Sequence, residues 1–221
     1  MKLIKPSYEI ISKFDTAYLL QLIEKAGRTC YKSEHKITND SAKAFIKMIL
    51  DRHHESVIEH GSMTVRFIID RGVSHELVRH RLSSFSQEST RYCNYTKDKF
   101  DNQLTFIIPT WLTDLHPDTY IKGLNSDFSN SQIGLSEWID SMFKAEETYN
   151  SLIFNGWTAQ QARSVLPNSL KTEIVVTSNF RQWRTIFKQR TSLAAHPQMR
   201  EIMVPLLADV KNRIPIIFDD I

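Results

Sequence analysis

Residues 63–91 read Met63-Thr64-Val65-Arg66-Phe67-Ile68-Ile69-Asp70-Arg71-Gly72-Val73-Ser74-His75-Glu76-Leu77-Val78-Arg79-His80-Arg81-Leu82-Ser83-Ser84-Phe85-Ser86-Gln87-Glu88-Ser89-Thr90-Arg91. The opening seven residues, rich in β-branched and aromatic side chains, predict a strand that ends at Asp70-Arg71-Gly72. A helix is expected over residues 73–82. Outward from this core, residues 105–108 predict a strand stopped by Pro109, and residues 173–177 another. Residues 3–14 mix β-branched and aromatic residues and read as a strand. Asp15-Thr16 looks like a helix start, with Leu19, Leu20, Leu22 and Ile23 as an apolar stripe running to Ala26. Asn39-Asp40-Ser41 is expected to cap a second helix that turns Ala44, Phe45, Met48 and Ile49 inward. Further helices are expected over residues 136–154, 158–166 (halted by Pro167), 181–190 and 197–213. Strands interspersed with helices at uneven spacing indicate an α+β fold, with mixed helices around an antiparallel sheet, more than a regular βαβ array. The chain is read as a single domain, 1–221, whose polar residues 113–136, with Pro117, Gly123 and Gly134, form a surface insertion.

On a helix from Val73, Glu76, Arg79 and Ser83 lie at i, i+3 and i+7 and share one face, while Val73 and Leu77 bury another. His80 and Arg81 each step roughly 100° further round, so the Arg-His-Arg triplet would touch two ligands or two parts of a large one. If residues 89–91 are extended, Ser89 and Arg91 share a side. Arg79 and Arg91 would then converge on one dianion, because guanidinium groups match phosphate oxygens bidentately. Taken alone, the patch is also compatible with a solvated basic helix. With Phe85, Tyr92 and Tyr95 as stacking partners, it is compatible with a nucleic-acid-binding module.

The bulk properties narrow the choice. Apolar and charged fractions of 41% and 24% are those of an ordinary globular protein, and a net charge of +3 does not describe a nucleic-acid coat. No apolar run reaches the roughly 18 residues needed to cross a bilayer. The opening Met1-Lys2-Leu3-Ile4-Lys5-Pro6 lacks a signal-peptide pattern, and two cysteines, Cys30 and Cys93, make no disulfide framework, so a cytoplasmic location is expected. No metal is expected. His54-Glu55 is followed by Ile58 where a second zinc-binding histidine would stand, and His75 and His80 are five residues apart, about 140° round a helix. Ser89 has no Gly-x-Ser-x-Gly elbow, which argues against a nucleophile. Neither cysteine belongs to a Cys-x-x-Cys pair, so a thioredoxin-type site is not expected.

The string Arg79-His80-Arg81, seven residues, then Ser89 resembles the signature of the flavin-dependent thymidylate synthases. Three more segments resemble that family in order: His54-Glu55-Ser56-Val57-Ile58-Glu59-His60, Ala162-Arg163-Ser164-Val165-Leu166-Pro167, and Gln198-Met199-Arg200-Glu201. Asn179-Phe180-Arg181 and Arg190 follow at fitting intervals.

The resemblance implies a homotetramer with active sites where subunits meet. It implies synthesis of dTMP from dUMP, with methylenetetrahydrofolate as carbon donor and NADPH as reductant through FAD. By position, Ser56, Arg79, His80, Arg81, Gln87, Asn179, Arg181 and Thr185 would contact FAD. Glu76, Arg79, Gln87, Glu88, Ser89, Thr90, Arg91, Arg163 and Arg190 would hold the nucleotide. Arg190 is placed to be catalytic, as a preorganised cation where charge develops on the uracil. The partners implied are small molecules, with neither nucleic acid nor membrane. One common family version reads Asn-Glu-x-Ser before the serine, with glutamine on the preceding helix. Here Ser86-Gln87-Glu88-Ser89 follows Glu76, so amide and carboxylate are exchanged, and Thr185 stands where the family has asparagine.

Overall fold

Alternation along Met63, Val65, Phe67 and Ile69 demands a strand with one apolar side, and in the computed structural model all four are buried. The structure describes residues 1–113, 115 and 130–221, with side chains left aside at 130–132. Most of the expected insertion at 113–136 therefore lies outside the described residues. The strands are β1 (Lys2–Ile4), β2 (Ser7–Ile10), β3 (Ser62–Asp70), β4 (Ser83–Gln87), β5 (Thr105–Ile107) and β6 (Lys171–Asn179). The helices are α1 (Thr16–Tyr31), α2 (Ser41–Asp51), α3 (Arg71–Leu77), α4 (Asn130–Phe154), α5 (Ala159–Ala162), α6 (Phe180–Arg190) and α7 (Pro197–Arg213). Four strands form a sheet in the order β2-β3-β6-β4, and β1 pairs with β5. The α+β class is as the sequence indicates. The β1–β5 pair departs from an antiparallel sheet: it is parallel, with Leu3 opposite Phe106.

The chain divides into two compact units. The first comprises Met1–Ser7, Ile68–Glu76 and Gln87–Ile174, the second Tyr8–Phe67, Leu77–Ser86 and Val175–Ile221. The core of the first gathers Leu3, Phe106 and Leu170 with Ile139, Met142 and Tyr149 of α4. In the second, Trp183 stacks on Phe187 at 5.5 Å between ring centres, and Phe187 meets Phe218 edge-on at 5.6 Å. The Trp183 indole donates to the Met63 carbonyl at 3.0 Å, so the largest core side chain leaves no buried donor unsatisfied.

Several element boundaries differ from the sequence reading. The strand expected over residues 3–14 is two strands, because Pro6 has no amide to donate and breaks the ladder. Asp15 does cap α1, accepting from the Tyr18 amide at 3.0 Å. The buried stripe of α1 is Leu20, Ile23, Glu24 and Gly27, and Leu22 is exposed. Glu24 tolerates burial because Arg28 lies 2.9 Å away and the Ser41 hydroxyl donates to it at 2.8 Å. On α2, Ala42 and Ile46 face inward with Phe45 and Ile49, and Ala44 is exposed.

The helix expected over 73–82 stops at Leu77. Ser83–Gln87 must enter the sheet beside β6, so the chain leaves the helix through a turn in which the His80 amide donates to the Leu77 carbonyl at 3.2 Å. Arg79 and Ser83 therefore do not share a helical face with Glu76. Helix α4 starts earlier than expected, at Asn130. The helix expected over 158–166 is only α5 followed by a 3-10 turn, Arg163–Val165. Among the described residues no helix is long and apolar enough to cross a membrane.

Gly61 marks the tightest point of the second unit. Its carbonyl accepts from the Phe180 amide at 2.9 Å, and an added Cβ would overlap the fully buried Phe180 ring that opens α6. We expect Gly61→Ala to destabilise the protein by about 1–3 kcal/mol through overpacking, read as a lower urea midpoint at unchanged slope.

Candidate active site

In the first unit, Gln87 ends β4 and the chain then curls. The Ser89 carbonyl accepts from the Tyr92 and Cys93 amides at 3.1 and 2.9 Å, and its hydroxyl accepts from the Arg91 amide at 3.4 Å. Residues 89–91 are thus a turn and not an extended segment, and the expected same-side placement of Ser89 and Arg91 by strand alternation does not hold. One serine collects three successive amides, which closes the turn locally. The Arg91 Nε donates to the side-chain Oε1 of Gln160 at 2.9 Å, and the guanidinium lies 5.5 Å above the Tyr92 ring centre. Arg163 reaches the hydroxyl of the buried Thr90 at 3.3 Å, so two of the expected nucleotide contacts do meet.

Gln87 and Glu88 are anchored. The Gln87 amide nitrogen donates to Ser74 Oγ at 2.9 Å and Thr172 Oγ1 at 3.2 Å. Glu88 accepts from Lys171 Nζ at 2.9 Å and from the Tyr95 hydroxyl at 2.8 Å. Burial, then the adjacent Glu88 carboxylate, pushes the Tyr95 hydroxyl well above its usual range, so it stays a donor. Glu76 is half-buried on α3.

In the second unit, Asn179 caps α6, its Oδ1 accepting from the Gln182 amide at 2.8 Å. Arg181 holds Glu59 at 2.7 Å and lies 3.9 Å from Glu55, two carboxylates of the turn that carries the exposed Ser56. The Thr185 hydroxyl donates back to the Arg181 carbonyl at 3.2 Å and is exposed. Arg79 and Arg81 are exposed and form no ion pair among the described residues. Arg190 is held differently. Its Nε donates to His80 Nε2 at 3.0 Å, and burial, aided by the Arg190 charge, lowers the His80 pKa to about 4. His80 is therefore a neutral acceptor at physiological pH, with its proton on Nδ1.

Sequence reasoning missed Lys171, Gln160 and Arg184, and it offered Tyr95 only as a stacking partner, not as a donor to Glu88. Lys171 and Glu173 sit two apart on a strand and so share a side, a signal that was readable. Arg184 is buried against Asp220, at 2.5 and 2.6 Å, with no local sequence signal for a partner so distant in the chain. No group of three His, Cys, Asp or Glu side chains among the described residues is placed to hold a metal.

A family described as "Thymidylate synthase complementing protein" matches residues 15–216. The chain belongs to that family. Among its relatives are flavin-dependent thymidylate synthases from Corynebacterium aurimucosum, 33% identical with 90% of this chain and 78% of the relative covered, and from Geobacter sulfurreducens, 32% identical with 88% and 78% covered. Solved structures of similar fold include a UMP/dUMP methylase from Streptomyces cacaoi bound to 5-bromo-dUMP (TM-score 0.74, 22% identity, covering 99% of this chain and 96% of that one). Thymidylate synthase X from Helicobacter pylori, solved with FAD and dUMP, gives a TM-score of 0.71 at 19% identity, covering 97% and 98%. At those identities the structures establish a shared family fold.

The His80 environment sets a pH dependence. Between its ordinary pKa of 6.5 and the folded value of about 4, the unfolded chain holds a proton that the folded chain does not, so stability falls as pH drops through that interval. We expect His80 to contribute a loss of up to about 1.4 kcal/mol per pH unit, and His80→Gln to remove that contribution from the urea midpoints between about pH 6.5 and 5.

Proposed function

We propose that this chain is a flavin-dependent thymidylate synthase that converts dUMP to dTMP, with methylenetetrahydrofolate as carbon donor and NADPH as reductant through FAD. The observation that carries this reading is the pairing of Arg190 with a buried, neutral His80, both lying in segments that resemble the family signature. A neutral acceptor fixes the guanidinium without cancelling its charge, as a cation aimed at developing negative charge requires.

The residues present suit FAD, whose pyrophosphate needs cations. Arg79 and Arg81 are exposed without ion pairs among the described residues, and the Asn179 amide nitrogen can donate while its oxygen caps α6. Ser56, His80, Gln87, Arg181 and Thr185 complete the proposed flavin set. FAD, when bound, supplies the redox chemistry. The protein supplies binding and orientation. Glu76, Arg79, Gln87, Glu88, Ser89, Thr90, Arg91, Arg163 and Arg190 form the proposed nucleotide set, in which Arg163 and Thr90 already touch. Ser89, engaged by three backbone amides, serves as a nucleotide contact and not a nucleophile. The whole chain is read as one functional domain, acting as a cytoplasmic homotetramer with active sites where subunits meet.

Purified protein is expected to be yellow and to release tritium from 5-tritiated dUMP in the presence of the folate and NADPH. A colourless chain inactive in that assay, yet binding oligonucleotides in a salt-dependent way, would return the reading to a nucleic-acid-binding module. Arg190→Ala should cut kcat by at least about 100-fold while flavin absorbance persists, as loss of a preorganised charge does. Ser89→Ala should raise KM for dUMP with turnover surviving; abolished turnover in folded, flavin-loaded protein would reinstate Ser89 as a nucleophile.

A further inference from the structure

We propose that Lys171 is a positioning residue for the nucleotide-binding segment, acting through the carboxylate of Glu88. The inference rests on the proposed role of residues 87–91.

Three consecutive residues of β6 grip two consecutive residues ahead of Ser89. The Glu88 amide donates to the Glu173 carbonyl at 2.8 Å. Lys171 Nζ spans two carboxylates, Glu88 Oε2 at 2.9 Å and Glu173 Oε1 at 2.6 Å. Thr172, between them, faces the opposite side of the strand and takes the Gln87 amide. The Ser74 hydroxyl spends its proton on the Arg71 carbonyl at 2.9 Å, so toward Gln87 it can only accept. That fixes the Gln87 amide with its nitrogen inward, and Oε1, without a hydrogen bond among the described residues, remains to accept from a ligand.

Lys171 is bonded to both carboxylates, and its side chain is only 16% exposed against 11% for Glu88. Burial disfavours the ammonium, but its hydrogen bonds to Glu173 and Glu88, with the charges of both carboxylates, outweigh that and raise its pKa. Facing Glu88 from the following loop are the Tyr95 hydroxyl and the Cys93 thiol, and Arg71 and Lys99 act on those two groups. Without Lys171, an ionised Glu88 would be left mostly buried opposite Glu173, and such a charge either takes up a proton or moves toward water. Since Ser89 and its turn follow directly, displacement of Glu88 would carry the nucleotide contacts with it. Neither the comparisons nor the family resemblance assigns Lys171 a part in the site.

The test is steady-state kinetics on FAD-loaded Lys171→Met between about pH 6 and 9, the range in which a buried carboxylate stripped of its cation would titrate. KM for dUMP is expected to rise about tenfold at the alkaline end and to approach wild type at the acid end, with kcat within about twofold. Wild type should show no such trend. In a Glu88→Gln background, Lys171→Met should change KM by less than about twofold at any pH, because residue 88 then carries no charge to strand and the more exposed Glu173 can turn to water. A pH-independent KM in Lys171→Met, or an equal effect in both backgrounds, would overturn the proposal. Should Lys171→Met alone fail to fold, the comparison of Glu88→Gln with Glu88→Gln/Lys171→Met decides: equal KM values support it and unequal ones overturn it. A wild-type chain that binds no FAD and turns over no dUMP fails the functional reading itself, a result distinct from any of these.

Discussion

Strand β6 is hydrogen-bonded on both edges, to β3 and to β4, and its alternation constrains everything built upon it. Thr172, Ile174, Val176 and Ser178 are buried, and the residues between them are not. A slip of one residue would exchange every side chain between the two sides, so the register is held by the whole buried row. At its start the same alternation separates Thr172, which takes the Gln87 amide, from Lys171 and Glu173, which take Glu88. At its end it delivers Asn179 as the cap of α6. From that cap the helix sets the direction of Arg181, Arg184 and Arg190.

Those three arginines show how surroundings sort chemically identical groups. Arg184 is buried against Asp220 and Glu55, where a bidentate pair repays the loss of water and the charge is spent on structure. Arg181 is half in solvent and shared between Glu59 and Glu55. Arg190 has its Nε held by an imidazole that burial keeps neutral, so that contact directs the charge without neutralising it.

Much of the fold was legible because strong periodicity leaves little choice. The strands β3 and β6 and the helices α6 and α7 lie within a residue or two of where alternation and helical spacing put them. One cause of failure is a deciding partner distant in the chain. Nothing local in Val78-Arg79-His80-Arg81 ends a helix; pairing of Ser83–Gln87 beside β6 does. The Ser89 turn was missed for another reason: two of its three bonds join backbone amides to a backbone carbonyl, and these carry no residue signature. On α2, Ala44 and Ile46 differ by two positions, about 200° round the helix, and only the packing of the second unit selects the inward one.

The residues of the candidate site were nameable from the sequence, since Arg79-His80-Arg81, Ser89, Arg163 and Arg190 stand at spacings that resemble a known signature. By itself the sequence thus pointed to the family and supplied the chemical inventory, cations for anionic ligands. Tertiary structure alone decided which partners hold these groups. His80 becomes a neutral acceptor for Arg190, and Lys171 is committed to Glu88 and Glu173. The physical reason is that charge state and hydrogen-bond roles depend on burial and on partners brought close in space, whereas sequence spacing fixes only the residue types available.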